Sequence, residues 1–273
     1  MKRFRQYLIL FLLLTGYFVQ AQQDSGFVQT KIIQADIVNF SVDNLGNIYL
    51  LSSGGQLKKI SAKGDSLAVY NDVRRYGNIY SMDVTNPLKV LLYYREFSTI
   101  VEVDRFLNII NTIDLRSLNI FQAKAIGLAY DNTVWVYDEQ EAKLKRVADD
   151  GSLVNETTDI RQFVNPVPDP TFITDQSGLV YLYDSARGVY IFDYYGAFQK
   201  YIPLEGWQDF TVIEKKLLGR DLHNFLKYQW NNPTMPIERQ PIPDSYLPAV
   251  KIIITPVTIY VLKQSDLEIY SKR

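Results

Sequence analysis

Asp43-Asn-Leu-Gly46-Asn-Ile-Tyr-Leu-Leu51 joins a tight turn to a short apolar strand, and the same figure returns further along the chain. Tyr130-Asp-Asn-Thr-Val-Trp-Val-Tyr137 and Thr174-Asp-Gln-Ser-Gly-Leu-Val-Tyr-Leu-Tyr183 repeat it. In each, Asp, Asn or Gly supplies the backbone freedom or local hydrogen bonding of a turn, and the β-branched and aromatic residues that follow suit a half-buried strand. Recurrence at roughly 40–46 residues is the period of a propeller array, in which every repeat forms one blade.

Outward from this stretch, short apolar runs alternate with turn residues throughout. Val38–Val42, Asn47–Leu51, Gln56–Ile60 and Ser66–Tyr70 make a first set of four strands. The second is Ile79–Val84, Leu88–Tyr93, Thr99–Val103 and Ile109–Asp114. The third runs Ala125–Tyr130, Thr133–Tyr137, Lys143–Val147 and Ser152–Thr157. The fourth is Thr171–Thr174, Leu179–Tyr183, Val189–Phe192 and Ala197–Ile202. In the fifth set Asp209–Ile213 is clear, while Glu214–Trp230 carries Leu218, Leu222, Phe225 and Leu226 at near-helical spacing. The array favours two irregular strands there over a short inserted helix, and the proline-bearing stretch up to Pro248 is the least regular part of the chain.

The sixth set has only three strands, Val250–Ile254, Val257–Leu262 and Leu267–Tyr270, whereas Phe27–Ile33 is an orphan near the other end. Pairing the orphan into the last blade completes the ring and removes an exposed edge. The expected fold is therefore an all-β, six-bladed propeller of four-stranded antiparallel blades, preferred over seven blades or an incomplete five. Cleavage after Ala21 would leave 252 residues (273 − 21), about 42 for each of six blades.

Residues 1–21 read as a signal peptide: Lys2, Arg3 and Arg5 precede an apolar Tyr7–Leu14, and Val19-Gln-Ala21 offers a cleavage site. The apolar run is far shorter than the ~20 residues that span a bilayer, and no later stretch is long and apolar enough. An exported protein, periplasmic or secreted, with residues 22–273 as a single domain, is the expectation. The chain has no cysteine, which excludes disulfides, thiolate metal sites, a cysteine nucleophile and cysteine lipidation. Its formal net charge of −1 does not suggest a nucleic-acid partner.

Thr174–Asp184, followed by Val189-Tyr-Ile-Phe-Asp-Tyr-Tyr-Gly-Ala-Phe198, resembles the NHL repeat and its six-bladed relatives. In those repeats a D-x-x-G turn precedes the second strand, and an apolar-x-apolar-F-D-x-x-G-x-F segment forms the third strand and its turn. Val42–Leu51 and Leu57–Leu67 echo the pattern, Lys145–Leu153 only its second half. The Asn-x-Arg step common in that family is absent, and Ser185-Ala-Arg-Gly188 stands in its place. The resemblance covers about three of six blades and implies an extracytoplasmic propeller, a fold often used for binding or scaffolding; fold alone does not assign a function.

The chemistry of the residues adds limits. His223, the sole histidine, lies in a polar loop and reads as an ordinary exposed residue. The turn aspartates Asp43, Asp149, Asp150, Asp175 and Asp193 lack the oxygen density of a calcium loop and read as turn formers. Among the expected inner strands, Asp83 and Asp209 are the only carboxylates and Asn39 the only amide. No cofactor or metal site is expected. A hydrolase or lyase of lactonase-like type at the channel mouth, using Asp83, Asp209 and His223, is the alternative to a non-enzymatic binding propeller.

For the binding reading, loops between second and third strands share one face with the loops between blades. This loop face is expected to carry Arg74, Arg75, Tyr76, Tyr94, Arg95, Glu96, Asp138, Glu139, Asp184, Arg187, Trp207, Arg220, Asp221 and His223. Arginine with aromatics is the composition enriched at protein interfaces, so a protein or peptide partner is expected, and a glycan is the other candidate.

Overall fold

The computed structural model describes residues 26–273 apart from Pro233 and Ser265. The expected signal peptide lies outside the described residues. The strands form six four-stranded antiparallel sheets. β1 (Phe27–Gln34) waits for the end of the chain. Blade 1 is β2 (Asn39–Val42), β3 (Ile48–Leu51), β4 (Leu57–Ile60) and β5 (Ser66–Tyr70). A short helix, α1 (Val73–Tyr76), leads to blade 2: β6 (Ser81–Asp83), β7 (Val90–Tyr94), β8 (Thr99–Val103) and β9 (Ile109–Asp114). Blade 3 is β10 (Ala123–Leu128), β11 (Val134–Asp138), β12 (Lys143–Val147) and β13 (Leu153–Glu156). Blade 4 is β14 (Phe172–Gln176), β15 (Leu179–Asp184), β16 (Gly188–Asp193) and β17 (Phe198–Ile202). Blade 5 is β18 (Gln208–Ile213), β19 (Lys216–Arg220), β20 (Asn224–Gln229) and β21 (Glu238–Pro241). Blade 6 is β22 (Lys251–Ile254), β23 (Thr258–Leu262) and β24 (Asp266–Lys272), completed by β1.

The closure has the form expected from the orphan strand, with Phe27 opposite Lys272 and Gln34 opposite Asp266. Glu214–Trp230 forms β19 and β20, because in-and-out alternation buries Leu217 and Leu226 and leaves Leu222 66% exposed in the turn between them. Most strand ends differ from expectation by a residue or two, and two differences bear on the site. β10 starts at Ala123 with a bulge before Ala125, and β14 runs on to Gln176. Asp175 therefore belongs to an inner strand rather than to a turn.

The apolar core is a set of six layers, each between adjacent blades. One layer joins Tyr49 and Leu57 of blade 1 to Val90, Leu92 and Val101 of blade 2; the next joins Leu91, Tyr93 and Ile100 to Ile126 and Val134 of blade 3. β7 alternates its side chains between these two layers, so all five of its residues are buried. A strand buried on both faces reads as a continuous apolar run, which is why the middle strands are so plain in the sequence.

Three of the turns opposite the loop face are closed by an aspartate in the same way. Asp43 Oδ1 accepts from the backbone N–H groups of Leu45 (2.9 Å) and Asn47 (2.8 Å). Asp104 does the same for Phe106 and Asn108, and Asp193 for Tyr195 and Ala197, each at 2.8–2.9 Å. The residue three places after each aspartate is left-handed: Gly46 at φ 80°, Leu107 at 62° and Gly196 at 89°. Leu107 adopts it without glycine's freedom because its side chain is buried in the first interblade layer.

Polar stitches complete the junctions. Tyr93, Tyr137 and Tyr183 occupy one register in β7, β11 and β15. Each donates its buried hydroxyl to a carbonyl at the entry of the next blade: Ala123 O at 2.9 Å, Pro168 O at 2.9 Å and Trp207 O at 2.7 Å. Burial raises the pKa of all three phenols, to about 12 at Tyr93 and Tyr183, so they remain donors.

Candidate functional site

The inner strands β2, β6, β10, β14, β18 and β22 run beside the central channel from the loop face to the turn face. Their polar residues bond across junctions. Asp83 Oδ2 accepts from Leu128 N (2.8 Å), joining blade 2 to blade 3, while its Oδ1 accepts from Thr85 N (2.9 Å). Asp175 Oδ2 accepts from the Trp135 indole (3.2 Å) and Tyr130 N (3.3 Å), tying blade 4 back to blade 3. Asp209 pairs with Arg220 and accepts from Ile252 N (2.8 Å) of blade 6. Lys251 crosses the closure junction to Asn39 Oδ1 (2.9 Å) and Phe40 O (2.8 Å); burial lowers its pKa, partly offset by Asp209. Asp83 and Asp209, the carboxylates the enzyme alternative relied on, are thus engaged in holding the ring.

His223 is exposed in the loop between β19 and β20, where its backbone N–H donates to Asp221 Oδ1 at 2.8 Å. Asp221 also accepts from Asn224 N at 2.6 Å, and these bonds lower its pKa against a burial contribution. Among the described residues, no three His, Cys, Asp or Glu side chains gather to hold a metal ion.

All fourteen expected binding residues lie on the loop face, as the blade topology requires, but six of them are buried. Tyr76 packs on Tyr94 with ring centroids 5.2 Å apart, and Tyr94 donates its hydroxyl to Tyr70 at 3.1 Å. Asp138 accepts from Gln140 N (3.0 Å) and Lys145 Nζ (2.8 Å). Asp184 accepts from Ala186 N and Asp169 N, both at 2.8 Å, and holds Arg187. Trp207 is packed between blades 4 and 5, and Arg220 donates to Ala249 O and Val250 O besides pairing with Asp209. These six stand at the loop-face ends of their blades but are turned inward: the aspartates close their own loops, the rings fill interblade layers, and Arg220 is held by Asp209 and the carbonyls of Ala249 and Val250.

Arg74, Arg75, Arg95, Glu96, Glu139 and His223 remain exposed, with Arg187 and Asp221 partly so. Beside them stand aromatics that the sequence reading did not assign to the face: Tyr80 (44% exposed), Phe97 (42%), Phe121 (53%), Phe163 (43%) and Phe172 (36%). Tyr80 and Phe172 begin or directly precede inner strands, so they sit at the channel mouth with Val38 and Val250, which are 51% and 54% exposed. A cleft of about 270 Å³ opens between blades 3 and 4, lined by Glu139, Arg161, Pro168, Asp169 and Arg187 over Tyr137. Its acidic side is held by Lys124, 3.1 Å from both Glu139 and Asp169. The turn face has apolar tips too, notably Tyr130 and Tyr195, 70% and 84% exposed, but they stand on the short turns.

The fold is shared with solved propellers. A catalytically inactive virginiamycin B lyase from Staphylococcus aureus, with quinupristin, is similar at a TM-score of 0.59 and 15% identity, over 85% of this chain and 79% of that one. The Pan2 WD40 domain of Neurospora crassa gives 0.56 and 9%, over 90% and 95%. The computationally designed Ika8 protein gives 0.50 and 9%, over 86% and 70%. At such identities the likeness establishes a propeller and no more. No family profile matches the chain, and no curated protein matches it in sequence. Among the described residues, no helix is long and apolar enough to cross a membrane.

Proposed function

We propose that this protein is an exported, periplasmic or secreted, non-enzymatic propeller that binds a protein or peptide partner through its loop face. Export rests on the pattern of residues 1–21. The observation that carries the binding reading is the gathering of exposed aromatics with exposed arginines on the face built from irregular linkers. There the chain departs from its repeat, forming α1 and the 3-10 turns at Arg95–Phe97, Leu115–Leu118, Ile160–Gln162 and Asp244–Tyr246. The opposite face consists of short hairpin turns, three of them closed alike by Asp43, Asp104 and Asp193. Rigid elements presenting varied loops are the usual support for recognition, and arginine with aromatic side chains dominates binding energy at interfaces.

Site-specific photo-crosslinking tests the reading. Phe121 or Phe172 replaced by p-benzoylphenylalanine, in cells that make the full chain, should give a discrete protein adduct. The same probe at Tyr195 or Ile110 should give none. Adducts from Tyr195 alone would overturn the assignment of the face.

A further inference from the structure

Most cations of the loop face are already held by carboxylates. Arg116, Lys124, Arg161, Arg187 and Arg220 each stand within 3.1 Å of a carboxylate oxygen. Arg74, Arg75 and Arg95 are exposed, and none has an ion pair among the described residues. An exposed pair contributes little to stability, so the absence of partners costs the fold nothing. It leaves three guanidinium groups available on one sector.

That sector is continuous. Tyr76 of α1 packs on Tyr94, the residue before the 3-10 turn that bears Arg95. Gly77 lies so close to that turn that an added methyl group would be 3.0 Å from Glu96 Oε2 and 3.5 Å from Phe97. Arg95 lies 5.0 Å from the Tyr80 ring centroid and donates Nη1 to the Tyr80 hydroxyl at 3.3 Å. Ser98, which ends the turn, donates to Phe121 O at 2.9 Å. Arg75 in turn lies 4.8 Å from the Tyr76 ring centroid. A guanidinium resting on a ring keeps edge N–H groups free for bidentate binding of a carboxylate. Glu96 and Asp72 are the nearby carboxylates, and neither comes within ion-pair distance of the three arginines.

We propose that this sector of blades 1 and 2, bordered by Phe121, binds an acidic peptide segment of a partner protein that also carries aromatic or large apolar side chains. The proposal rests on the loop-face reading and names the partner's chemistry. The carboxylates meet Arg74, Arg75 and Arg95, and the apolar side chains cover Tyr80, Phe97 and Phe121. Three cations in a near-neutral chain suit a short acidic segment rather than the long phosphate track of a nucleic acid.

Fluorescence anisotropy on the full chain tests this. The probes are a labelled peptide of about twelve residues rich in Asp and Glu with two Phe, the same peptide with Lys for each acid, and a single-stranded DNA of equal charge. The acidic peptide should bind, weakening as salt rises past the range where surface charges are screened. Arg95→Glu, or Arg74→Glu with Arg75→Glu, should weaken it by about tenfold or more at unchanged Tm. Phe121→Ser should also weaken it, and Arg239→Glu on the outer strand of blade 5 should not. No binding of the acidic peptide, equal binding of the lysine peptide or DNA, or an equal effect of Arg239→Glu would overturn the proposal. If crosslinks at Phe121 persist while the acidic peptide fails, only the partner chemistry is wrong; if both fail, the loop-face reading falls with it.

Discussion

Removing the hydroxyl of Tyr137 isolates one interblade stitch. The phenol is 1% exposed and donates to Pro168 O at 2.9 Å. Tyr137→Phe keeps the ring and its packing, deletes the bond and leaves the carbonyl without that donor, a loss of about 1–3 kcal/mol. In a chain of this size about 2 kcal/mol lowers Tm by roughly 4–8 °C. Tyr93 and Tyr183 make the same bond in two other apolar layers and share no partner with Tyr137. The three losses should therefore add, and Tyr93→Phe/Tyr137→Phe/Tyr183→Phe should forfeit about 3–9 kcal/mol, most of a typical protein's stability. Equilibrium urea unfolding is the assay, read as a fall in midpoint at constant slope. Tyr195→Phe, on an 84% exposed ring, is the control and should stay within about 0.5 kcal/mol of the parent. A triple variant as stable as that control would refute the reasoning.

Asp175 carries a pH prediction. Burial raises its carboxyl pKa, with repulsion from Asp131 adding, against the bonds from Trp135 and Tyr130 and the field of Arg146. A raised folded pKa gives stability that is full below the unfolded value and is lost as pH rises through the folded one. Asp175→Asn keeps an acceptor and removes the charge, so it should match the parent in acid and exceed it at neutral pH in urea midpoints; a less stable variant at neutral pH contradicts this. Deleting β1 should strip β24 of its partner and expose that edge. Size-exclusion chromatography should then show loss of the parent's folded peak, and an unchanged elution profile would count against closure by this strand.

The ring was legible because its physics repeats. Asp43-x-x-Gly46 and Asp193-x-x-Gly196 announce turns through residue types that make them, and strands buried on both faces leave unbroken apolar runs. The sixth blade showed itself by a deficit that only Phe27–Ile33 could fill. Single positions were harder. Asp175 follows the turn pattern of Asp43, yet β14 extends past it and its oxygen serves the neighbouring blade, a contact that exists only in the closed ring. Asp104 closes a turn as Asp43 does, but Leu107 holds the place of glycine and hides the motif. On the loop face, polarity alone could not separate Asp138 and Asp184, which are turned inward, from Glu139 and Arg187 beside them. Nothing local marked Phe121 and Phe172 as exposed, because burial there depends on linker paths that no short-range pattern encodes.

A rigid ring that presents its loop face to a partner should shield that face and leave the other open. Hydrogen exchange of the protein, alone and in the complex trapped by crosslinking, tests it most directly, since backbone amides report each face separately. Protection is expected at 72–79, 95–98 and 115–122, with exchange unchanged in the turns closed by Asp43, Asp104 and Asp193. Protection confined to those turns, with the linkers unaffected, would contradict it.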